Sequence, residues 1–238
     1  MYTILCYGDS NTFGSNPSGG RWGFAQRWTG CLSSLLGPSF RVLEEGLGGR
    51  TTIFDDPLEP SRNGKEYLPV VLQSHRPLDM VILSLGTNDC KSMFCANERI
   101  IAKALEKLAT MVVNHPYGPE YPIPQVLVIS PILIGEKIEQ TAFASFDASS
   151  AALSRRLAPE IEAMARRNNL LFVDAATVAK SSELDQLHMD SESHQALAQA
   201  LVPVIRSFFK EEEKPIIKEE EIQKPTVRSL RFPFLRGK

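Results

Sequence analysis

Residues 2–11 read YTILCYGDSN. From Tyr2 to Tyr7 the chain is almost wholly apolar and shows no alternation, the pattern of a strand buried on both faces. It then stops on Gly8-Asp9-Ser10-Asn11, residue types that favour turns. A surface loop would explain that change, and so would a nucleophile held at the end of a buried strand. Four further runs share the character of the first: Phe40–Glu44, Met80–Leu85, Val126–Ser130 and Leu170–Val173. Between them lie helical patterns at Phe24–Leu36, Glu98–Val113, Asp147–Asn168 and Ser191–Phe209, with apolar residues recurring at helical spacing. Strands alternating with helices predict a parallel sheet covered by helices on both faces, joined by right-handed crossovers.

The composition suits such a fold. With 238 residues and 43% hydrophobic content, the chain is long enough for one domain with a substantial core. Lys and Arg number 26 against 28 Asp and Glu, a net charge of −2. That balance gives no argument for a nucleic-acid partner, which would show as a basic excess clustered on one face. No window reaches the roughly 18–20 apolar residues of a membrane span. The start, MYTILCYGDS, has neither a basic n-region nor a small-residue cleavage site, so no signal peptide is expected. A cytoplasmic setting is the expectation, with Cys6, Cys31, Cys90 and Cys95 as reduced thiols. Cys90 and Cys95 have no matching Cys or His pair nearby, so neither a metal nor a cofactor is expected. Residues 210–238 differ, with six acidic and eight basic residues in 29. They read as a charged tail beyond a catalytic unit at 1–209, solvated or docked through Leu230, Phe232, Phe234 and Leu235 on the same or a neighbouring subunit.

In open parallel sheets ligands bind beyond the carboxyl ends of the strands, so the residues just past each run matter most. The first run leads to Gly8-Asp9-Ser10-Asn11, the second to Glu45-Gly46-Leu47-Gly48-Gly49-Arg50-Thr51, and the third to Gly86-Thr87-Asn88-Asp89. The fifth, across a loop, leads to Asp185-Gln186-Leu187-His188. These are the parts of acyl transfer. A serine hydroxyl is a weak nucleophile and needs an adjacent base. Ser10 would be the nucleophile, His188 the base, and Asp185 the group that orients the imidazole. The Asp-x-x-His spacing puts the last two on one turn of chain. A tetrahedral oxyanion needs donors, each typically worth about 3 kcal/mol of barrier. The N–H of Ser10, the N–H of Gly49 and the amide of Asn88 are the candidates.

Taken singly, each block has a plainer reading. Ser10 could cap a following helix, the glycines could make ordinary turns, and Asp185 with His188 could be a surface pair. His194 reads as the first turn of the last helix, and His75 and His115 as exposed residues. Arg21 and Arg50 could bind an anion, or form structural ion pairs. There is no G-x-S-x-G elbow and no dinucleotide fingerprint.

Together the blocks resemble the SGNH (GDSL-type) hydrolase family: GDSN at 8–11, the glycine at 49 in GLGGRTT, GTND at 86–89 and DQLH at 185–188. Further stretches are similar to its arylesterase, acyltransferase and perhydrolase branch: RWTG at 27–30, EEGLGGRTT at 44–52, DDP at 55–57, NGKEYLP at 63–69, LGTNDCK at 85–91 and YPIPQVLVISP at 121–131. The resemblance spans about residues 2–209. It implies a three-layer α/β/α flavodoxin-like fold of about five parallel strands. It also implies Ser10, Asp185 and His188 as triad, and Ser10, Gly49 and Asn88 as oxyanion hole. Small acyl esters would be the substrates, with no metal, and a homo-oligomer is one arrangement found in the branch. Asn11, Phe13 and Gly48 depart from it, standing where leucine, tryptophan and serine are usual. Beside a serine esterase stand three alternatives: acyl transfer to an alcohol or peroxide, a carbohydrate acetylesterase using Trp22 and Trp28 for stacking, and an anion-binding module without turnover.

Overall fold

The computed structural model of the chain describes residues 1–209; the tail expected at 210–238 lies outside them. Five strands form one sheet: β1 (Tyr2–Gly8), β2 (Phe40–Gly46), β3 (Met80–Ser84), β4 (Gln125–Ser130) and β5 (Leu171–Asp174). All pairings are parallel and the order is β2-β1-β3-β4-β5, the flavodoxin-like arrangement. Six helices surround it: α1 (Ser10–Phe13), α2 (Trp28–Leu36), α3 (Gly64–His75), α4 (Glu98–Val113), α5 (Ala148–Arg167) and α6 (Ser191–Phe209).

The unalternating runs are explained by two cores. Leu5 and Tyr7 of β1, Val81 and Leu83 of β3, and Val126 and Val128 of β4 face one way, toward Leu68 and Leu72 of α3, Leu105 and Leu108 of α4, and Leu157 and Ile161 of α5. Their neighbours Ile4, Cys6, Met80, Ile82, Leu127 and Ile129 face the other, against Trp28 and Leu32 of α2 and Leu197, Leu201 and Ile205 of α6. Successive strand side chains point to opposite faces, so only an apolar run without alternation can serve both cores. Each fully buried Leu, Ile or Val contributes roughly 1.5–3 kcal/mol.

Two elements differ from the sequence expectation. The pattern at Phe24–Leu36 is not one helix: a 3-10 turn at Phe24–Gln26 ends in extended Arg27 (φ −72, ψ 146), and α2 starts at Trp28. The Arg27 guanidinium grips Glu44 of β2 through two hydrogen bonds, at 2.9 and 2.6 Å, which fixes the break. Helix α3 has no counterpart among the helical patterns of the sequence. Its N-cap is Asn63, whose side chain accepts from Lys65 N–H, and Pro69 lies inside it. Among the described residues no helix is long and apolar enough to cross a membrane.

Candidate active site

The register brings three strand ends level, since Gly8 pairs with both Gly46 and Ser84. The blocks beyond these residues must therefore emerge side by side, at the point between β1 and β3 where the strand order reverses. The single turn of α1 packs directly over β2. A Cβ on Gly46 would lie 2.1 Å from Phe13 N, so only glycine permits the approach.

Ser10 begins α1 but does not cap it. Asp9 is the cap, its carboxylate accepting from Asn11 N–H at 2.9 Å. The Ser10 hydroxyl makes no hydrogen bond among the described residues, to His188 included, and the residue is 6% exposed. The next side chain joins this turn to the far end of the chain. Asn11 Oδ1 accepts from Met189 N–H at 2.9 Å, and Asn11 Nδ2 donates to Leu187 O at 3.4 Å, contacts spanning 178 and 176 residues. One carboxamide thus holds both neighbours of His188 beside Ser10.

The His188 ring is itself held from below. Its Nδ1 lies 2.6 Å from Asp185 Oδ2, while Asp185 Oδ1 accepts from the N–H groups of Leu187 and His188 at 3.1 and 3.0 Å. Burial opposes charge on Asp185, but the His188 ring and these two amides outweigh it and hold the carboxyl below its usual range. Phe143 meets the ring edge-on, with centroids 5.5 Å apart. Gln186, at φ 62, directs its own side chain to Lys137 N–H and so ties this loop to the β4–α5 connection. Trp22 donates its indole N–H to Met189 O at 3.2 Å.

On the opposite side lies the glycine-rich turn. Arg50 N–H closes it onto Leu47 O at 3.1 Å, with Gly49 at φ +76, the left-handed region that favours glycine. The N–H groups of Ser10 and Gly49 make no hydrogen bond among the described residues. Asn88 Nδ2 gives one hydrogen to Arg50 O at 3.1 Å and keeps a second. Asp89 accepts from Thr52 N–H at 3.1 Å and from the Thr52 hydroxyl. Burial pushes Asp89 up to about 6, against the pull of Thr52, and pushes Asp9 up to about 6, against Asn11 N–H, His188, Thr87 and Arg50.

The remaining candidates take other parts. His194 Nδ1 accepts from Trp28 N–H at 3.2 Å and so caps α2. His75 pairs with Glu45 at 2.7 Å and is half-buried, and His115 meets Gln73. Arg21 lies 3.7 Å from Glu44, as a structural ion pair would, but Arg50 forms no ion pair among the described residues and instead binds backbone carbonyls. Trp28 is fully buried and cannot stack on a sugar. Sequence reasoning treats Asn11 only as a departure from the family pattern; the polar side chain beside a candidate nucleophile is the signal that could have found it.

The chain matches the GDSL-like lipase/acylhydrolase family over residues 6–196. Among solved structures, the native aryl esterase of M. smegmatis is 37% identical, with a TM-score of 0.82 over 87% of this chain and 99% of that one. A carbohydrate acetylesterase family member from Sinorhizobium meliloti is 35% identical, with a TM-score of 0.82 over 87% of this chain and 98% of that one. Est24, a carbohydrate acetylesterase from the same organism, is 33% identical with a TM-score of 0.82, over 88% and 100%. No curated protein sequence matches.

Proposed function

Because the chain belongs to the GDSL-like lipase/acylhydrolase family of SGNH ester hydrolases, we propose that it cleaves small acyl esters through an acyl-enzyme on Ser10. In this reading His188 Nε2 takes the proton of Ser10 Oγ as the oxygen attacks the ester carbonyl. Nδ1–H meanwhile donates to Asp185, whose depressed pKa keeps it ionised and able to stabilise the imidazolium. The oxyanion receives hydrogen bonds from Ser10 N–H, Gly49 N–H and the second hydrogen of Asn88 Nδ2, all free to donate. His188 returns the proton to the departing alcohol, then activates the water that releases the acid. The serine–imidazole hydrogen bond forms in the substrate complex, as catalytic hydrogen bonds commonly do.

The observation that carries this reading is the Asn11 clamp. It ties the backbone on both sides of the Asp185-paired His188 to the residue next to Ser10, whose hydroxyl is otherwise unengaged, and this supports the reading. The test is Ser10→Ala with p-nitrophenyl acetate. We expect a loss of about a thousandfold or more in kcat, and a loss under about tenfold would reject the nucleophile. A carbohydrate acetyl ester as substrate is the second reading, favoured by the two acetylesterase neighbours. Acetylated xylose set against phenyl acetate separates the two. An ester series from C2 to C12, with and without added alcohol, reports acyl length and the preference between water and alcohol.

A further inference from the structure

Arg50 is 5% exposed, sits at the centre of the site, and has no carboxylate partner among the described residues. A buried cation without a counter-ion is costly, so its surroundings need explaining. Of the two acids whose charge reaches it, Glu45 turns its side chain to His75 at 2.7 Å and Asp9 keeps its carboxylate on Asn11 N–H at 2.9 Å. Arg50 Nη1 instead donates to Gly8 O at 2.9 Å and to Glu45 O. The guanidinium carbon lies 4.1 Å from the centroid of the Tyr7 ring, which is itself fastened by its hydroxyl to Gly64 O at 2.7 Å. The backbone of the same residue works in the other direction. Arg50 O accepts from Asn88 Nδ2 at 3.1 Å, and Arg50 N–H closes the turn that carries Gly49.

We infer that Arg50 is the positioning residue of the oxyanion hole: its guanidinium, fixed to Gly8 O and Glu45 O, and its backbone, fixed to Asn88, set the Ser10, Gly49 and Asn88 donors at one relative spacing. Gly8 lies two residues before Ser10, Gly49 immediately precedes Arg50, and Asn88 is bound to it directly. No other described residue is bonded to all three strand-end blocks. The donors belong to three separate segments: Leu47 N–H to Gly8 O at 3.1 Å ties the first to the second and Thr52 to Asp89 ties the second to the third, whereas Arg50 alone among the described residues binds across all three. A hole that is loose by even about 1 Å loses much of its transition-state binding. The guanidinium acts through these groups and touches no substrate atom. The inference rests on the oxyanion hole proposed above.

The test is a kinetic cycle on the full chain with p-nitrophenyl acetate, using Arg50→Ala, Arg50→Lys, Asn88→Ala and the double variants. Arg50→Ala should lower kcat about thirtyfold with KM changed less than about threefold, because a transition-state interaction is what is lost. In the Asn88→Ala background the same change should cost only about threefold, since one of the donors it positions is already gone. An equal loss in both backgrounds, or a loss confined to KM, would show a structural role unrelated to the hole and overturn the inference. If thermal unfolding shows that Arg50→Ala does not fold, Arg50→Lys carries the test. It keeps the charge but lacks the planar guanidinium that lies over the Tyr7 ring and aims Nη1 at Gly8 O and Glu45 O, and about a fivefold fall in kcat is expected. A folded Arg50→Lys with wild-type kcat overturns the inference. Ser10→Ala separates the two levels. If Ser10→Ala and Asn88→Ala both depress kcat while the Arg50 variants do not, only the role of Arg50 is lost; if Ser10→Ala remains active, the esterase machinery itself is rejected and this inference falls with it.

Discussion

Asn11 shows how much of a site can depend on a side chain with no chemical step of its own. Its carboxamide satisfies Met189 N–H and Leu187 O across the deepest part of the site, where an unpaired buried amide costs about 1–3 kcal/mol. Asn11→Ala removes both bonds and frees the backbone that carries His188. We expect kcat for p-nitrophenyl acetate to fall about tenfold with little change in KM, because the proposed base His188 and not the substrate is displaced. Asn11→Asp keeps the stronger acceptor toward Met189 and should recover part of that rate. Steady-state kinetics of the two variants check both statements. At this scale the sequence was informative wherever a residue type has few uses. Asp185 and His188, three positions apart, needed only one turn of chain to meet, and they do, at 2.6 Å. Asn11 and Arg50 were not legible, because their partners are backbone groups, and backbone groups leave no trace in residue identity.

Helix α2 carries the same lesson at the level of elements. Its first N–H is accepted by a ring from α6, since His194 Nδ1 takes the bond from Trp28. His194 is fully buried, and burial holds its pKa down at about 4, aided by His188 and Arg27 and opposed by Asp190. Between the unfolded value near 6.5 and about 4, the unfolded chain binds a proton that the folded chain refuses. The neutral ring therefore stabilises the fold above about pH 6.5, and that contribution is lost as pH falls through 4, a change on the order of 3 kcal/mol. Asp9 and Asp89, raised to about 6, act with the opposite sign in the same range, because the folded state holds their protons more tightly. A comparison with a variant cancels them. His194→Asn keeps an acceptor for Trp28 N–H and cannot titrate there. Its stability deficit against the wild type, measured by urea unfolding, should shrink by about 2 kcal/mol between pH 7 and pH 4.5. Periodicity gave α4 and α6 to the residue, because both are long and amphipathic. It ran through the break at Arg27, which is set by the tertiary grip on Glu44. It also passed over α3, a 12-residue helix that buries only Gly64, Leu68 and Leu72 and so carries a short apolar stripe.

For the whole molecule, the decisive feature is that five apolar runs serve two cores at once, which forces helices onto both faces and the loops of β1, β2 and β3 onto one edge. That much was legible from unalternating hydrophobicity. The strand order was not, since a crossover that skips a strand looks the same in sequence as one that does not; the family resemblance carried it. The limit of the catalytic unit can be argued from the same cores. The family match ends at residue 196, within α6, yet Leu197, Ala198, Leu201 and Ile205 are almost fully buried against α2 and the sheet. Phe209 then closes the body, with its ring centroid 4.3 Å from that of Tyr2 and 5.6 Å from that of Phe40. A chain ending at residue 196 forfeits several large side chains, each worth about 2–5 kcal/mol when deleted from a core, which exceeds the margin of most domains. It should fail to accumulate as folded protein. A chain ending at Phe209 keeps both cores, the Asn11 clamp and every candidate site residue. It should keep kcat/KM for p-nitrophenyl acetate within about twofold of the 238-residue chain, because no group assigned to the reaction lies beyond α6. A loss of more than about tenfold in that folded truncation would place part of the working site in residues 210–238 and reject 1–209 as the catalytic unit.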